Sequence, residues 1–390
     1  MNIAMVTPTY LPNIGGLEIA IKELSLELLK RGHKVYVFVP YAIKGYLKNT
    51  ICKLAGNVHT GDIVVLPFPY SKVLERYSLD FIIEGVMKKE FVKNRIDIIH
   101  NWSTVPFGYY SIQANRETKL PVLTLLAAKD IYDPISPIEN NWTNRIGYVL
   151  NNSNNVVSCS DDQKQRVRNK TAVRIKIIPH GVNIYKFNPN KKSLDLRKYL
   201  HLENEIFLFS LQRLHPRKGV EYLIKAMSEI VKKCSNVKLI IGGTGPEVNK
   251  LKLLINELKL QSKIELIGFI KDSEMCNYYA SCDIFVFHSL YEAFGIVLVE
   301  AMASGVPVIS TQVGAIPEVV RDKKTGILVP PCDPSALASA IMELIENENL
   351  RKRMGFEGRK IIEKEYNWEN IVEKYENIYY DLLKKQGVNS

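Results

Sequence analysis

At 390 residues, 46% hydrophobic and 24% charged, the chain can fill two ordinary globular cores and is neither disordered nor fibrous in composition. Its formal net charge of +11 points to a polyanionic partner, such as nucleotide phosphates or an anionic membrane surface. Nucleic acid is set aside because there is no helix-turn-helix, RNP-like or zinc-finger pattern. The six cysteines are scattered without metal-ligand spacing, no metal site is expected, and no apolar run is long enough to span a membrane.

The N-terminal stretch MNIAMVTPTY has no basic region ahead of its apolar residues, so it reads as a strand and not as a signal peptide. A cytoplasmic protein is the expectation. After this strand comes the loop PTYLPNIGG, then LEIAIKELSLELLKRGH, with Leu17, Ala20, Ile21, Leu24 and Leu28 at helical spacing and Gly32 as a stop. VYVFVP (35–40) closes a βαβ unit with a parallel sheet. Further strands are predicted at 96–100, 120–126, 155–160 and 174–182. Ser160 with Gln163 fits a capping box, which makes Asp161 and Asp162 first-turn acids of a helix.

Residues 183–205 are polar and mixed and read as a connection with a short helix. A second alternating series follows, with strands at 206–214, 237–243, 263–270, 283–288, 306–310 and 326–330 between helical segments. The chain ends in a long amphipathic helix, WENIVEKYENIYYDLLKK. Two doubly wound parallel α/β units are therefore expected.

One stretch of the second series, LYEAFGIVLVEAMASG (290–305), lies at the carboxyl end of strand DIFVF, where ligands bind in open α/β sheets. Phe294, Gly295 and Ile296 should open a helix whose unpaired amides and dipole suit a phosphate. Glu300 is five residues on, about 7–8 Å along the axis, a distance that suits a carboxylate holding ribose hydroxyls. Its neighbours are apolar, and a lone buried carboxylate is costly. Glu292, just before the helix, can face whatever the phosphate carries. The structural alternative for Glu300 is a helix-edge acid meeting the other domain.

LQRLHPRKG (211–219) puts Arg213 and Lys218 at another strand end, where two cations can neutralise a diphosphate. GGTGPE (242–247) brings Gly243 close to a ligand or a neighbouring strand, although it lacks the third glycine of a dinucleotide fingerprint, as does the Gly15-Gly16 loop. No P-loop pattern exists.

The EX7E pair Glu292 and Glu300, with RLHPRKG, GGTGPE, IGFI, VPVIST and VGAIPEVV, resembles the retaining glycosyltransferases of family GT4 (glycosyl transferases group 1). The resemblance is strongest over 207–330 and continues in order through Gly15-Gly16, DIIH at 97–100 and IPHGVN at 178–183. It implies the GT-B fold: an acceptor-side Rossmann-like domain over residues 1–185, a nucleotide-sugar domain over 186–366, and a helix over 367–390 that crosses back. By resemblance, Arg213 and Lys218 hold the donor diphosphate and Glu292 contacts the sugar. Phe294, Gly295 and Ile296 offer amides, and Glu300 binds ribose. Gly268-Phe269 and Gly243 line the donor site, and Gly15-Gly16 approach the phosphates. The implied reaction is metal- and cofactor-independent transfer, with retention, to a glycan, lipid-linked or small-molecule acceptor.

Departures from the family pattern fall in the first half. Leu126 or Ala127 stands where many relatives have a histidine facing the donor sugar, Trp102 replaces a second histidine, His288 a proline and Asn183 an aspartate. His100 or Lys129-Asp130 are the candidate substitutes. The basic stretch 41–57 reads as an amphipathic helix on an anionic membrane or as a solvated variable loop. Competing readings are a GT-B sugar-nucleotide epimerase, a phosphorylase, for which no pyridoxal lysine is identified, and a non-catalytic nucleotide-sugar-binding partner subunit.

Overall fold

The computed structural model describes residues 1–11, 15–42, 63–70, 80–127, 140–202 and 204–387. The chain divides into two units: Met1–His180 with Trp368–Ser390, and Gly181–Asn367.

The first unit holds a seven-stranded sheet in the order β3-β2-β1-β4-β5-β6-β7, all pairs parallel. Its strands are β1 (Asn2–Val6), β2 (Lys34–Ala42), β3 (Ile63–Tyr70), β4 (Ile98–Asn101), β5 (Val122–Leu125), β6 (Asn155–Ser158) and β7 (Ile175–Ile177). The order reverses between β1 and β4, so the loops after those two strands leave the sheet side by side. β3 had no clear strand signal, because Pro67 and Pro69 interrupt its run of apolar residues. It is an edge strand, and there a missing N–H costs no ladder bond.

Local chemistry sets the helix ends. Helix Gly16–Lys30 stops at Gly32, which takes φ 81°, and the amides of Gly32 and His33 return to the carbonyls of Leu29 and Leu28. Ser160 caps helix Asp161–Val167 by accepting the Gln163 amide at 3.3 Å, and the Gln163 side chain accepts from Ser158 and Cys159. Helix Trp368–Lys385 belongs to this unit and buries Trp368, Ile371, Val372, Tyr375, Ile378, Tyr379, Leu382 and Leu383. Its Glu376 accepts from Arg31 and meets His33 Nε2, each at 2.7 Å, a buried polar clamp to the end of the first helix.

The second unit has six parallel strands in the order β10-β9-β8-β11-β12-β13. These are β8 (Ile206–Leu211), β9 (Val237–Gly242), β10 (Ile264–Gly268), β11 (Ile284–Phe287), β12 (Val308–Thr311) and β13 (Gly326–Val329). One core joins Leu208, Ile241 and Val286 of the sheet to Leu223, Met227, Leu337 and Ile341 of the helices Val220–Lys233 and Pro334–Glu346. Here the order reverses between β8 and β11, which places the two loops of greatest chemical interest next to each other.

Cys159, Cys276 and Cys282 are buried free thiols, and Cys332 is free and exposed. No helix among the described residues is long and apolar enough to cross a membrane. The stretch 43–57, Cys52 and Lys129-Asp130 lie outside the described residues.

Candidate functional site

The loop after β8 carries Arg213 and Lys218, and the loop after β11 carries Glu292. Two bonds join the loops at the Arg217 carbonyl, which accepts the Leu290 amide at 2.9 Å and the Ser289 hydroxyl at 3.4 Å. Gly219 ends the Pro216–Lys218 turn at φ 60°, and a Cβ there would sit 2.4 Å from the His288 carbonyl oxygen. Only glycine lets the two loops approach this closely.

Lys218 Nζ reaches Glu292 Oε2 at 2.5 Å, with both side chains about four-fifths buried. The ammonium also lies 5.0 Å from the centre of the Phe287 ring. The Glu292 carbonyl accepts the Ala315 amide at 3.0 Å, and a Cβ at Gly314, itself at φ 52°, would fall 2.0 Å from that oxygen. The VGAIPEVV segment thus serves as a backstop that pins Glu292. Arg213 is exposed, and its guanidinium has no partner among the described residues.

Gly295 precedes helix Ile296–Ala303 in a left-handed conformation (φ 92°, ψ 62°) and is buried. The first intrahelical bond runs from the Leu298 amide to the Gly295 carbonyl, so the amides of Ile296 and Val297 come before the ladder begins. The Phe294 ring is buried, 6.1 Å from the ring of Tyr366, leaving its main chain at the helix start. Glu300, one and a half turns in, is 2% exposed. Its Oε2 accepts the Tyr279 hydroxyl at 2.8 Å. Burial first, and the Glu300 charge second, push the Tyr279 phenol far above its usual range, so it stays a donor. Phe187, Phe209 and Phe285 surround Tyr279 within 5.7 Å between ring centres. The buried carboxylate is therefore partnered, which the sequence could not reveal. Tyr279 sits in MCNYYAS, a segment without a motif.

The glycine loop 242–247 owes its composition to chain packing. Gly243 has φ 122°, and a Cβ there would lie 1.8 Å from the Gln212 carbonyl oxygen; one at Gly245 would lie 2.2 Å from that of Leu214. This loop supports the Arg213 loop from behind. It is tied in turn to β10 through the Gly243 amide and the Gly268 carbonyl at 2.6 Å. Gly268 adopts φ 75°, and the next residue, Phe269, is 58% exposed at the strand end.

His288, in the place of the family's proline, has no exposed surface, and neither ring nitrogen has a partner among the described residues. Burial pushes it down to about 4, so it is neutral at physiological pH.

In the first unit, Gly15 and Gly16 open the helix after β1, and Gly15 lies against the Glu18 side chain. His100 is the candidate substitute for the missing histidine. It is fully buried within β4, its Nδ1 is 2.8 Å from the Tyr379 hydroxyl, and its ring packs on Trp102, Tyr375 and Tyr379. Burial drives it down to about 3, so it is neutral in this setting. Leu126 is likewise a core residue, packed with Ile146, Leu150 and Val156.

The family model for glycosyl transferases group 1 matches residues 191–361, and that for glycosyltransferase family 4 matches residues 14–186. An uncharacterized glycosyltransferase of Methanocaldococcus jannaschii is 28% identical, over 99% of this chain and all of its own length. The N-acetyl-alpha-D-glucosaminyl L-malate synthase of Bacillus anthracis is 27% identical over 96% of both chains. Among solved structures, Anabaena HepE in complex with UDP-glucose aligns over 98% of this chain and 100% of its own, with a TM-score of 0.79 and 21% identity.

Proposed function

Because the chain belongs to the group 1 glycosyltransferases of family 4, with the GT-B fold, we propose that it transfers a sugar from a nucleoside-diphosphate donor to an acceptor hydroxyl with retention. The observation that carries this reading is the convergence at the β8/β11 reversal of the Lys218–Glu292 pair, the unpartnered Arg213 and the Gly295 helix start backed by Glu300. HepE was solved with UDP-glucose on the same fold, and this supports a nucleotide-sugar donor here.

In this reading the donor diphosphate lies over the start of helix Ile296–Ala303, and its charge is met by Arg213, Lys218 and the helix dipole. Glu300 takes the ribose hydroxyls, Phe269 offers a surface to the base, and Glu292 faces the sugar. The bond from the anomeric carbon to the β-phosphate oxygen breaks, and the acceptor oxygen bonds the same face of that carbon. The acceptor proton passes to the departing phosphate. Leaving-group stabilisation and proximity supply most of the rate. Because side chains and dipole neutralise the diphosphate, no metal is required. The acceptor is a glycan, a lipid-linked or a small hydroxyl compound; the malate in the name of the Bacillus relative is one small-molecule precedent.

The test is to incubate the protein with a panel of nucleotide-sugars and candidate acceptors, with and without a chelator, and to read the anomeric configuration of the product by NMR. The proposal expects nucleoside-diphosphate release, an unchanged anomeric configuration and no effect of the chelator. Inversion, or loss of turnover in the chelator that added metal restores, contradicts it. Binding of the donor with neither transfer nor hydrolysis would instead identify a partner subunit.

A further inference from the structure

A recess of about 760 Å³ in the first unit lies apart from every residue discussed above as a site. It borders the outer edge of β7, the last strand of the sheet, and is flanked by helices Asp161–Val167 and Trp368–Lys385. Five cations converge on it from three elements: Lys164 and Arg168, Arg174 and Lys176, and Lys374. Asp381 is the one acid that lines it among the described residues. Arg174, Lys176 and Lys374 are exposed and have no hydrogen-bond or ion-pair partner among the described residues.

Between the cations the lining is apolar. Ile175 and Ile378 are largely buried, and Ile177 is 42% exposed. The strand's backbone also faces the recess. The Ile178 amide bonds the Ser158 carbonyl, on the β6 side. The two-residue alternation of a parallel ladder therefore turns the N–H and C=O groups of Ile175 and Ile177 away from β6, toward the open edge. Charged residues on an edge strand can simply guard it against aggregation, which accounts for Arg174 and Lys176. It does not account for three further cations brought in from the flanking elements, nor for an isoleucine left exposed among them.

We propose that this groove takes an acidic, extended segment of a partner protein. The segment adds to β7 as a further strand, sets alternate apolar side chains on the isoleucines and points alternate carboxylates at the cations. Charge complementarity argues for a partner other than a second copy, because this chain itself carries +11.

The experiment is fluorescence anisotropy with the whole chain and labelled Glu-Val-Glu-Val-Glu-Val, against Lys-Val-Lys-Val-Lys-Val as control. The expected result is binding of the acidic peptide only, weakened at least about tenfold in a Lys176→Glu, Lys374→Glu double variant whose circular dichroism is unchanged. N-methylation of one alternate set of peptide amides should abolish binding while the other set is tolerated, a readout that leaves the protein intact. Equal binding of the two peptides, no effect of the charge reversals, or tolerance of both methylated peptides overturns the proposal. So does binding of phosphatidylglycerol vesicles through the same cations without binding of the peptide.

Discussion

Tyr279 has one hydroxyl and no exposed surface, and that hydroxyl is directed at Glu300. In the proposed reading, a carboxylate with one oxygen held in this way is partly oriented before a ribose binds. Tyr279→Phe keeps the ring among Phe187, Phe209 and Phe285 and removes only the donor. We expect the preference for a ribonucleoside diphosphate over its 2′,3′-dideoxy counterpart, measured by calorimetry, to narrow about tenfold, the worth of one hydrogen bond to a charged group. His288 makes a second prediction. Its folded value of about 4 lies below the usual 6.5, so the unfolded chain takes up the proton first. Stability from this residue is complete above about pH 6.5 and is lost progressively as the pH falls toward 4. The melting temperature should drop over that window, and the drop should be smaller in His288→Phe. His100, pushed down to about 3, contributes in the same direction and remains in both proteins.

At the scale of elements, the loops at the reversal of the second sheet are built by backbone approach as much as by side chains. Gly219, Gly243 and Gly314 each stand where a Cβ would strike a carbonyl oxygen of a neighbouring loop. Gly243→Ala should destabilise the second unit by about 2 kcal/mol or more, seen as a fall of about 2–4 °C in melting temperature per kcal/mol. These elements were largely legible in the sequence. Apolar runs ending in glycine-rich or charged loops located β8, β9 and β11, and Gly295 located the helix start. Legibility failed where the partner lay far away in the chain. Nothing near Glu300 announces Tyr279, nothing near Glu292 announces the Gly314-Ala315 backstop, and nothing near His100 announces Tyr379. β3 escaped because its two prolines are harmless only at an edge, which is a property of strand order.

For the whole molecule, the division of the chain into units has a direct consequence. Helix Trp368–Lys385 completes the core of the first unit, although 187 residues of the second unit separate it from the rest. Ending the chain after Asn367 would bare the surface that Trp368, Tyr375, Tyr379 and Leu382 cover and leave His33 without Glu376. We expect that truncated protein to lose the cooperative unfolding of the first unit, read by hydrogen exchange on β1 and β4, while amides of β8 and β11 keep their protection. The two-unit architecture was readable from its alternating strands and helices, whereas the return of the last helix to the first unit was expected only from the family resemblance, because it depends on long-range packing.

The central claim, that the β8/β11 reversal of the second unit binds a nucleotide-sugar, is tested most directly by thermal shift across a panel of nucleoside diphosphates and their sugars. A ligand that binds only the native state at 100 times its Kd adds about 2.7 kcal/mol of stability. The account predicts a shift for one base in preference to the others, larger with the sugar attached and lost in Lys218→Met and in Glu300→Gln. A panel that leaves the melting temperature flat, or a shift that survives both substitutions, would contradict it.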